Sequence, residues 1–222
     1  MNQQHIKTVL FDLDGTLADT APDLADALNT VLLNNGKDAL PFEQIRPVVS
    51  HGGIALVSLG FGIEPDHPKF EPLRQQLLQV YADDIANKTC LFPGMSELLN
   101  NIESVGMNWG VVTNKPAWLT EPLLDALNLS QRAISIVSGD TLKERKPHPS
   151  PLLYACEQAG SQGFECVYVG DAERDIVAGN KAGMKTIVAL FGYIGTKDRP
   201  ETWGADALLE SPQAISQWLQ LN

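Results

Sequence analysis

Ile6 to Phe11 form a short, largely apolar and β-branched run that ends at Asp12, which predicts a buried strand. Asp14-Gly15-Thr16 breaks it. Leu24, Ala27, Leu28, Val31 and Leu32 then recur at helical spacing. The start of this helix is read at Thr20 as N-cap, with Pro22 in the first turn and Asp23 completing a capping box. Its end is read at Asn34-Asn35-Gly36. Between residues 20 and 90 only helical patterns occur. Ile54 to Leu59 is a short apolar segment behind Gly52-Gly53. Phe70, Leu73, Leu77, Tyr81 and Ile85 mark one face of a longer amphipathic helix.

After Phe92-Pro93-Gly94 helices and strands alternate. The pattern predicts strands at Trp109–Thr113, Ile134–Val137, Val167–Gly170 and Thr186–Leu190. Helices are predicted around Leu98–Ile102, Pro122–Leu127, Leu152–Ala159 and Ile176–Ala182. This is the βαβ rhythm of a parallel sheet, and the N-terminal strand must join it. The expected fold is α/β: a Rossmann-like, doubly wound parallel sheet with an α-helical domain inserted after strand 1. The core is expected over 1–18 and 93–222, and the insert over 19–92.

Composition narrows the function. The chain has 222 residues, 44% hydrophobic and 19% charged, enough for a buried core and one sizeable domain carrying a small insert. A net charge of −11 argues against a nucleic-acid partner, whose affinity comes from neutralised phosphates. It also means that an anionic substrate needs a local cation. Cys90, Cys156 and Cys166 are odd in number and widely spaced, so no disulfide framework is expected and a reducing compartment is. The opening MNQQHIKTVLFD has no long apolar stretch; neither a signal peptide nor a membrane segment is expected, and the cytoplasm is the expected location.

Polar residues sit just past the ends of several predicted strands: Asp12 and Asp14, Thr113 and Asn114, Asp171 and Asp175. Open parallel sheets bind ligands at that edge. Carboxylates crowded there repel one another unless a cation sits among them, and Mg²⁺ suits hard oxygen ligands combined with phosphate. Lys146, in Arg145-Lys146-Pro147, offers a second cation. The Thr113 hydroxyl and nearby backbone N–H groups are candidates to hold phosphoryl oxygens.

These segments resemble the four ordered motifs of haloacid-dehalogenase-like phosphatases: Asp12-Leu13-Asp14-Gly15-Thr16, Val111-Val112-Thr113-Asn114, Lys146-Pro147, and Gly170-Asp171-Ala172-Glu173-Arg174-Asp175. Ala172 departs from the Ser or Asp common at its position. The resemblance implies that Asp12 attacks phosphorus and forms an aspartyl-phosphate. It implies that Asp14 protonates the leaving oxygen and then deprotonates water. Mg²⁺ would be held by Asp12, the backbone carbonyl of Asp14 and Asp171. Asp175 would orient Lys146 or hold a water of the metal's shell, while Lys146 and Thr113 stabilise the phosphoryl group. Asp14 favours phosphoryl transfer over dehalogenation, since the resembling dehalogenases lack an Asp two residues after the nucleophile.

The insert resembles the cap of this superfamily, which closes over the site and supplies specificity. Arg46 is the candidate to pair with a second anionic group of the substrate. Ser50, His51 and Gly52, with Gly53, form the candidate specificity loop. The segments VVSHGG, WGVVTNKP, GYIG and WGAD resemble the N-acetylmuramic acid 6-phosphate phosphatases of cell-wall recycling, which are similar to phosphoglycolate phosphatases. The expected ligand is a small phosphate monoester, bound by a monomer or homodimer. A sugar phosphomutase of the β-phosphoglucomutase type and a non-catalytic binding module on the same fold remain as alternatives.

Overall fold

A computed structural model describes residues 6–221. Met1 to His5, on which part of the signal-segment reading rests, lie outside the described residues, as does residue 222. The chain runs β1 (Thr8–Phe11), β2 (Ala18–Asp19), α1 (Ala21–Asn34), α2 (Phe42–Ile45), a 3₁₀ turn (Arg46–His51), α3 (Gly52–Phe61), α4 (Phe70–Asp83) and β3 (Cys90–Leu91). It continues with α5 (Met95–Ser104), β4 (Asn108–Val112), α6 (Ala117–Ala126), β5 (Ile136–Val137), α7 (Ser150–Gln158), β6 (Cys166–Gly170), α8 (Glu173–Lys181), β7 (Lys185–Ala189), β8 (Ala207–Leu209) and α9 (Pro212–Trp218).

Six strands form one sheet in the order β5-β4-β1-β6-β7-β8. Every neighbouring pair in it is parallel. The first strand therefore sits near the middle, and all four of its residues are buried. Alternation along it feeds two cores. Val9 and Phe11 join the face covered by Leu98 and Leu99 of α5 and Leu119 and Leu123 of α6. Leu10 joins the opposite face, with Leu152 and Ala155 of α7 and Ala178 of α8. Each such buried side chain contributes ~1.5–3 kcal/mol, so β1 is held from both sides. The first core also runs on through Leu24, Leu28, Leu56 and Leu77 of the helical segment.

Several local expectations change. The capping box at the start of α1 does not form: Thr20 makes no capping hydrogen bond there. Its hydroxyl instead donates to Asp14 Oδ1 at 2.7 Å. Asp23 is likewise drawn away, accepting from Lys88 N, Thr89 N and Thr89 Oγ1. Thr20 is thus engaged by the turn after β1, while Asp23 ties the start of α1 to residues 88 and 89 at the far end of the helical segment. α6 starts at Ala117, with Pro122 inside it rather than in its first turn. Ile85 lies beyond the end of α4. The two-residue strands β2 and β3 pair antiparallel where the chain leaves and re-enters the sheet layer. The sequence reading missed these two, and it also missed β8 and α9.

Among the described residues no helix is long and apolar enough to cross a membrane. The three cysteines are free thiols, with Cys156 and Cys166 buried and their sulfurs 3.2 Å apart.

Candidate active site

The carboxyl ends of β1, β4 and β6 lie side by side, so the residues that follow them converge. Asp12 still bonds into the ladder through its N–H to Val169 O at 2.9 Å, which sets it beside the end of β6. Its Oδ1 accepts from Leu13 N at 2.7 Å and pairs with Lys146 Nζ at 2.9 Å. Lys146 is buried, and its ammonium has three oxygen partners, two held by charge and one by a hydrogen bond. These are Asp12, Asp175 Oδ1 at 2.8 Å and the Tyr168 hydroxyl at 2.8 Å. The Tyr168 hydroxyl in turn donates to Val112 O. Asp175 occupies the first turn of α8, and its second oxygen caps Ala172 N at 3.1 Å. Buried charges of this kind persist only when paired, and here each carboxylate and the ammonium complete one another.

Asp171 lies on the other side of Asp12. Its Oδ2 accepts from Ser50 Oγ at 2.6 Å and Tyr193 N at 2.9 Å. Gly15, at φ +84°, allows the turn after Asp14 to pass so close that a Cβ would collide with this carboxylate. Asp12, Asp171 and Asp175 each present an oxygen within 4.8 Å of the others. Burial, then the charges of Asp12 and Asp175, push Asp171 up to about 7. Burial also raises Asp12, against the pull of Lys146. A set of hard oxygen donors whose charges disfavour one another is what a metal cation relieves, so these residues fit a metal site. The Asp14 carboxylate stays outside this cluster. Its Oδ1 accepts from Thr20 Oγ1 and Lys115 Nζ, both at 2.7 Å.

A cavity of about 460 Å³ opens above Asp12 and Asp14. Its walls include Thr113, Asn114, Lys115 and Arg174 from the strand ends, and Ser50, His51, Gly52, Gly53, Ile54, Arg74, Leu78 and Tyr81 from the helical segment. The larger hollow, about 600 Å³, lies among Lys7, Asn108, Ser161 and Trp218 near the amino ends of the strands and contains none of the motif residues. Thr113 accepts from Lys115 N at 3.1 Å through its hydroxyl oxygen, which leaves the hydroxyl proton free to donate.

Two sequence expectations need correction. Arg46 does not line the cavity. Its guanidinium donates to Gly192 O at 3.1 Å and Phe191 O at 3.4 Å and lies 4.8 Å from the centre of the Tyr193 ring. A cation held this way ties the 3₁₀ turn to the loop that carries Tyr193, away from the residues that line the cavity. Asn114 lines the cavity, but its amide is committed elsewhere: Nδ2 donates to Lys146 O at 2.9 Å and Oδ1 accepts from Lys146 N at 3.1 Å. It anchors the backbone of Lys146. Arg46→Ala is accordingly expected to lower turnover of an aryl phosphate and of a carboxylate-bearing phosphate by the same factor. Parallel kinetics on the two substrates check this, and a loss confined to the carboxylate-bearing one would restore Arg46 to substrate binding.

Two further residues escaped the sequence reading. Arg174 lies between the two aspartates of Gly170–Asp175, where the motif gives it no role. Its guanidinium donates to Ser50 O and lies 3.4 Å from His51 Nδ1, so it joins the site to the helical segment. Although burial opposes its charge, Asp175, Asp12 and Asp171 outweigh that and keep it firmly protonated. The same desolvation, followed by the Arg174 charge, lowers His51. The second is Lys115, which stood in the quoted segment WGVVTNKP without a role.

The carboxylate cluster and the buried lysine lie at the carboxyl edge of a parallel α/β sheet, where such sheets bind their ligands. The chain belongs to the haloacid dehalogenase-like hydrolases, whose family model matches residues 9–189. It is 43% identical to a phosphoglycolate phosphatase of Xylella fastidiosa, over 95% of this chain and 92% of that one. It is 40% identical to the N-acetylmuramic acid 6-phosphate phosphatase of Pseudomonas aeruginosa, over 97% of this chain and 95% of that one. Among solved structures, a predicted phosphoglycolate phosphatase from Haemophilus somnus superposes with a TM-score of 0.85 at 26% identity, covering 98% of this chain and 99% of that one.

Proposed function

We propose that the protein is a Mg²⁺-dependent phosphatase that hydrolyses an amino-sugar phosphate of the N-acetylmuramic acid 6-phosphate kind. Asp12 is the nucleophile. Lys146 and Leu13 N occupy its Oδ1, whereas Oδ2 accepts no hydrogen bond among the described residues and is left to attack phosphorus. Asp14 presents its Oδ2 to the leaving oxygen, gives up a proton as the P–O bond breaks, and takes one from the water that clears the aspartyl-phosphate. Lys146 and the Thr113 hydroxyl stabilise charge on the phosphoryl oxygens. Asp12, Asp171 and the Asp14 carbonyl would hold Mg²⁺, which neutralises carboxylate and phosphate charge together. Asp175 orients Lys146.

Residues 19–92 act as the cap. Its loop is drawn onto the core by Ser50 on Asp171 and by Arg174 on the Ser50 carbonyl. The cavity carries the substrate reading. Its roughly 460 Å³ lies within the ~300–1,000 Å³ range of sites for sizeable ligands. The lining reaches from Asp12 to Gly52 and Arg74 of the helical segment, which offers an amino sugar with its acidic side chain both backbone N–H groups and a cation. The relative named phosphoglycolate phosphatase at 43% identity favours 2-phosphoglycolate as the second reading.

Phosphate release from the two compounds side by side, with and without Mg²⁺, separates them. The expected result is Mg²⁺-dependent release with preference for the amino-sugar phosphate. Preference for 2-phosphoglycolate replaces the first reading by the second.

A further inference from the structure

Lys115 directly follows Thr113-Asn114 at the end of β4, and its backbone is fixed on several sides. Its N–H donates to Thr113 Oγ1, and its carbonyl accepts from Gly139 N at 2.8 Å and Thr120 Oγ1 at 3.2 Å. The side chain therefore starts from a rigid point. It crosses to the end of β1 and places Nζ 2.7 Å from Asp14 Oδ1, with only 7% of the side chain exposed. Thr20 Oγ1 meets the same oxygen at 2.7 Å. Two donors on one oxygen fix the rotation of the carboxyl group and leave the other oxygen to the cavity.

The ammonium has a second neighbour, from the cap side. It lies 4.5 Å from the centre of the Tyr81 ring on α4. Tyr81 is 1% exposed, and among the described residues its hydroxyl has no hydrogen-bond partner. What it offers Lys115 is its ring face. Burial pulls the lysine toward neutrality, but Asp14 and Tyr81 outweigh it and keep the ammonium charged. A cation stripped of water this way needs both a counter-charge and a polarisable wall.

We infer that Lys115 is a positioning residue for Asp14, and that Tyr81 makes this positioning depend on the cap being seated. When α4 lies against the core, the Tyr81 ring closes off the solvent side of the ammonium and Lys115 is left to Asp14. When α4 moves away, water reaches Nζ and the carboxyl group loses one of its two fixed donors. Asp14 is thus oriented for proton transfer only under a closed cap. Proton transfer needs heavy atoms within ~2.6–3.2 Å, so a rotated carboxyl group forfeits it. The inference rests on Asp14 being the acid–base group, and the test separates the two.

With enzyme in excess over 4-nitrophenyl phosphate, 4-nitrophenol appearance reports attack by Asp12, because this leaving group needs no proton. Phosphate appearance reports the water step, which does. Lys115→Met is expected to keep nitrophenol release within about threefold of wild type and to slow phosphate release about 10²-fold, the lower end of acid–base effects. Lys115→Gln, which keeps a donor for Oδ1, shows the same split at about tenfold and serves if the Met variant does not fold. Tyr81→Leu also splits the steps, by about tenfold, whereas Tyr81→Phe, which retains the ring, stays near wild type. Equal slowing of both steps in the Lys115 variants, or no slowing, overturns the positioning role. A Tyr81→Phe loss equal to that of Tyr81→Leu overturns the ring contact as the link to the cap. Asp14→Asn is the control: if it leaves phosphate release unimpaired, the acid–base assignment itself fails, whatever Lys115 shows.

Discussion

Asp12→Asn is expected to lower phosphate release by about 10⁴-fold or more while leaving the fold in place. The amide keeps the shape of the carboxyl group but is a poor nucleophile toward phosphorus. Its oxygen can still accept from Leu13 N, as Asp12 Oδ1 does at 2.7 Å. Lys146 loses one anionic partner but keeps Asp175 at 2.8 Å and the Tyr168 hydroxyl at 2.8 Å. One negative charge also leaves the crowd that pushes Asp171 upward. The stability terms therefore oppose one another, whereas the catalytic loss has no compensation. Phosphate release from an aryl phosphate, set beside thermal unfolding of the same preparations, checks both halves. An Asn variant that turns over at the wild-type rate would remove the covalent route.

Lys146→Met is expected to fail on both counts. Turnover falls about 10³-fold, because the group facing the phosphoryl charge is gone. Stability in the absence of divalent cations falls by ~3–5 kcal/mol at neutral pH, the effect of leaving buried charges unpaired. Asp12 and Asp175, with side chains 5% and 0% exposed, are the charges left behind. The pH dependence has a definite sign. Burial already raises Asp12 above its ordinary value, and Lys146 is the largest influence pulling it down. Without Lys146 the folded-state pKa climbs further, so the folded variant binds protons that the unfolded chain does not. Its stability then rises as the pH falls from neutrality toward the ordinary carboxylate range, and the deficit against wild type shrinks. Urea unfolding in a chelator across that range measures it. A deficit that is absent, or that widens on acidification, would mean the cluster is not held together by charge.

Much of this architecture was legible along the chain. The run Ile6–Phe11 could be read as a central strand because both its faces are buried, which leaves an unbroken apolar signature. Helices α1, α4 and α5 each bury one stripe, and that stripe was visible as spacing. Strands β2 and β3 were not legible, since two residues are too few to show a period. The Thr20–Asp23 pair was misread for a different reason. Those residue types suit a local cap, but each finds another partner: Asp14, six residues before it, takes the Thr20 hydroxyl, and Lys88 with Thr89, far along the chain, take Asp23.

The same division holds in the site. The chain itself determined which residues carry reactive groups and, through strand ends, that Asp12, Thr113, Lys146 and Asp171 gather at one edge, because a parallel sheet delivers its carboxyl ends together. It could not determine where a flexible side chain is pointed. Arg46 reads as a free cation in sequence, yet backbone carbonyls of residues 191 and 192 capture its guanidinium. Asn114 reads as a ligand group and instead braces Lys146. Lys115 and Arg174 carry no sequence signal beyond their charge, and only packing places them against Asp14 and the Ser50 carbonyl. Long side chains have many rotamers of similar energy, so their direction is decided by the counter-charges and acceptors that folding sets around them.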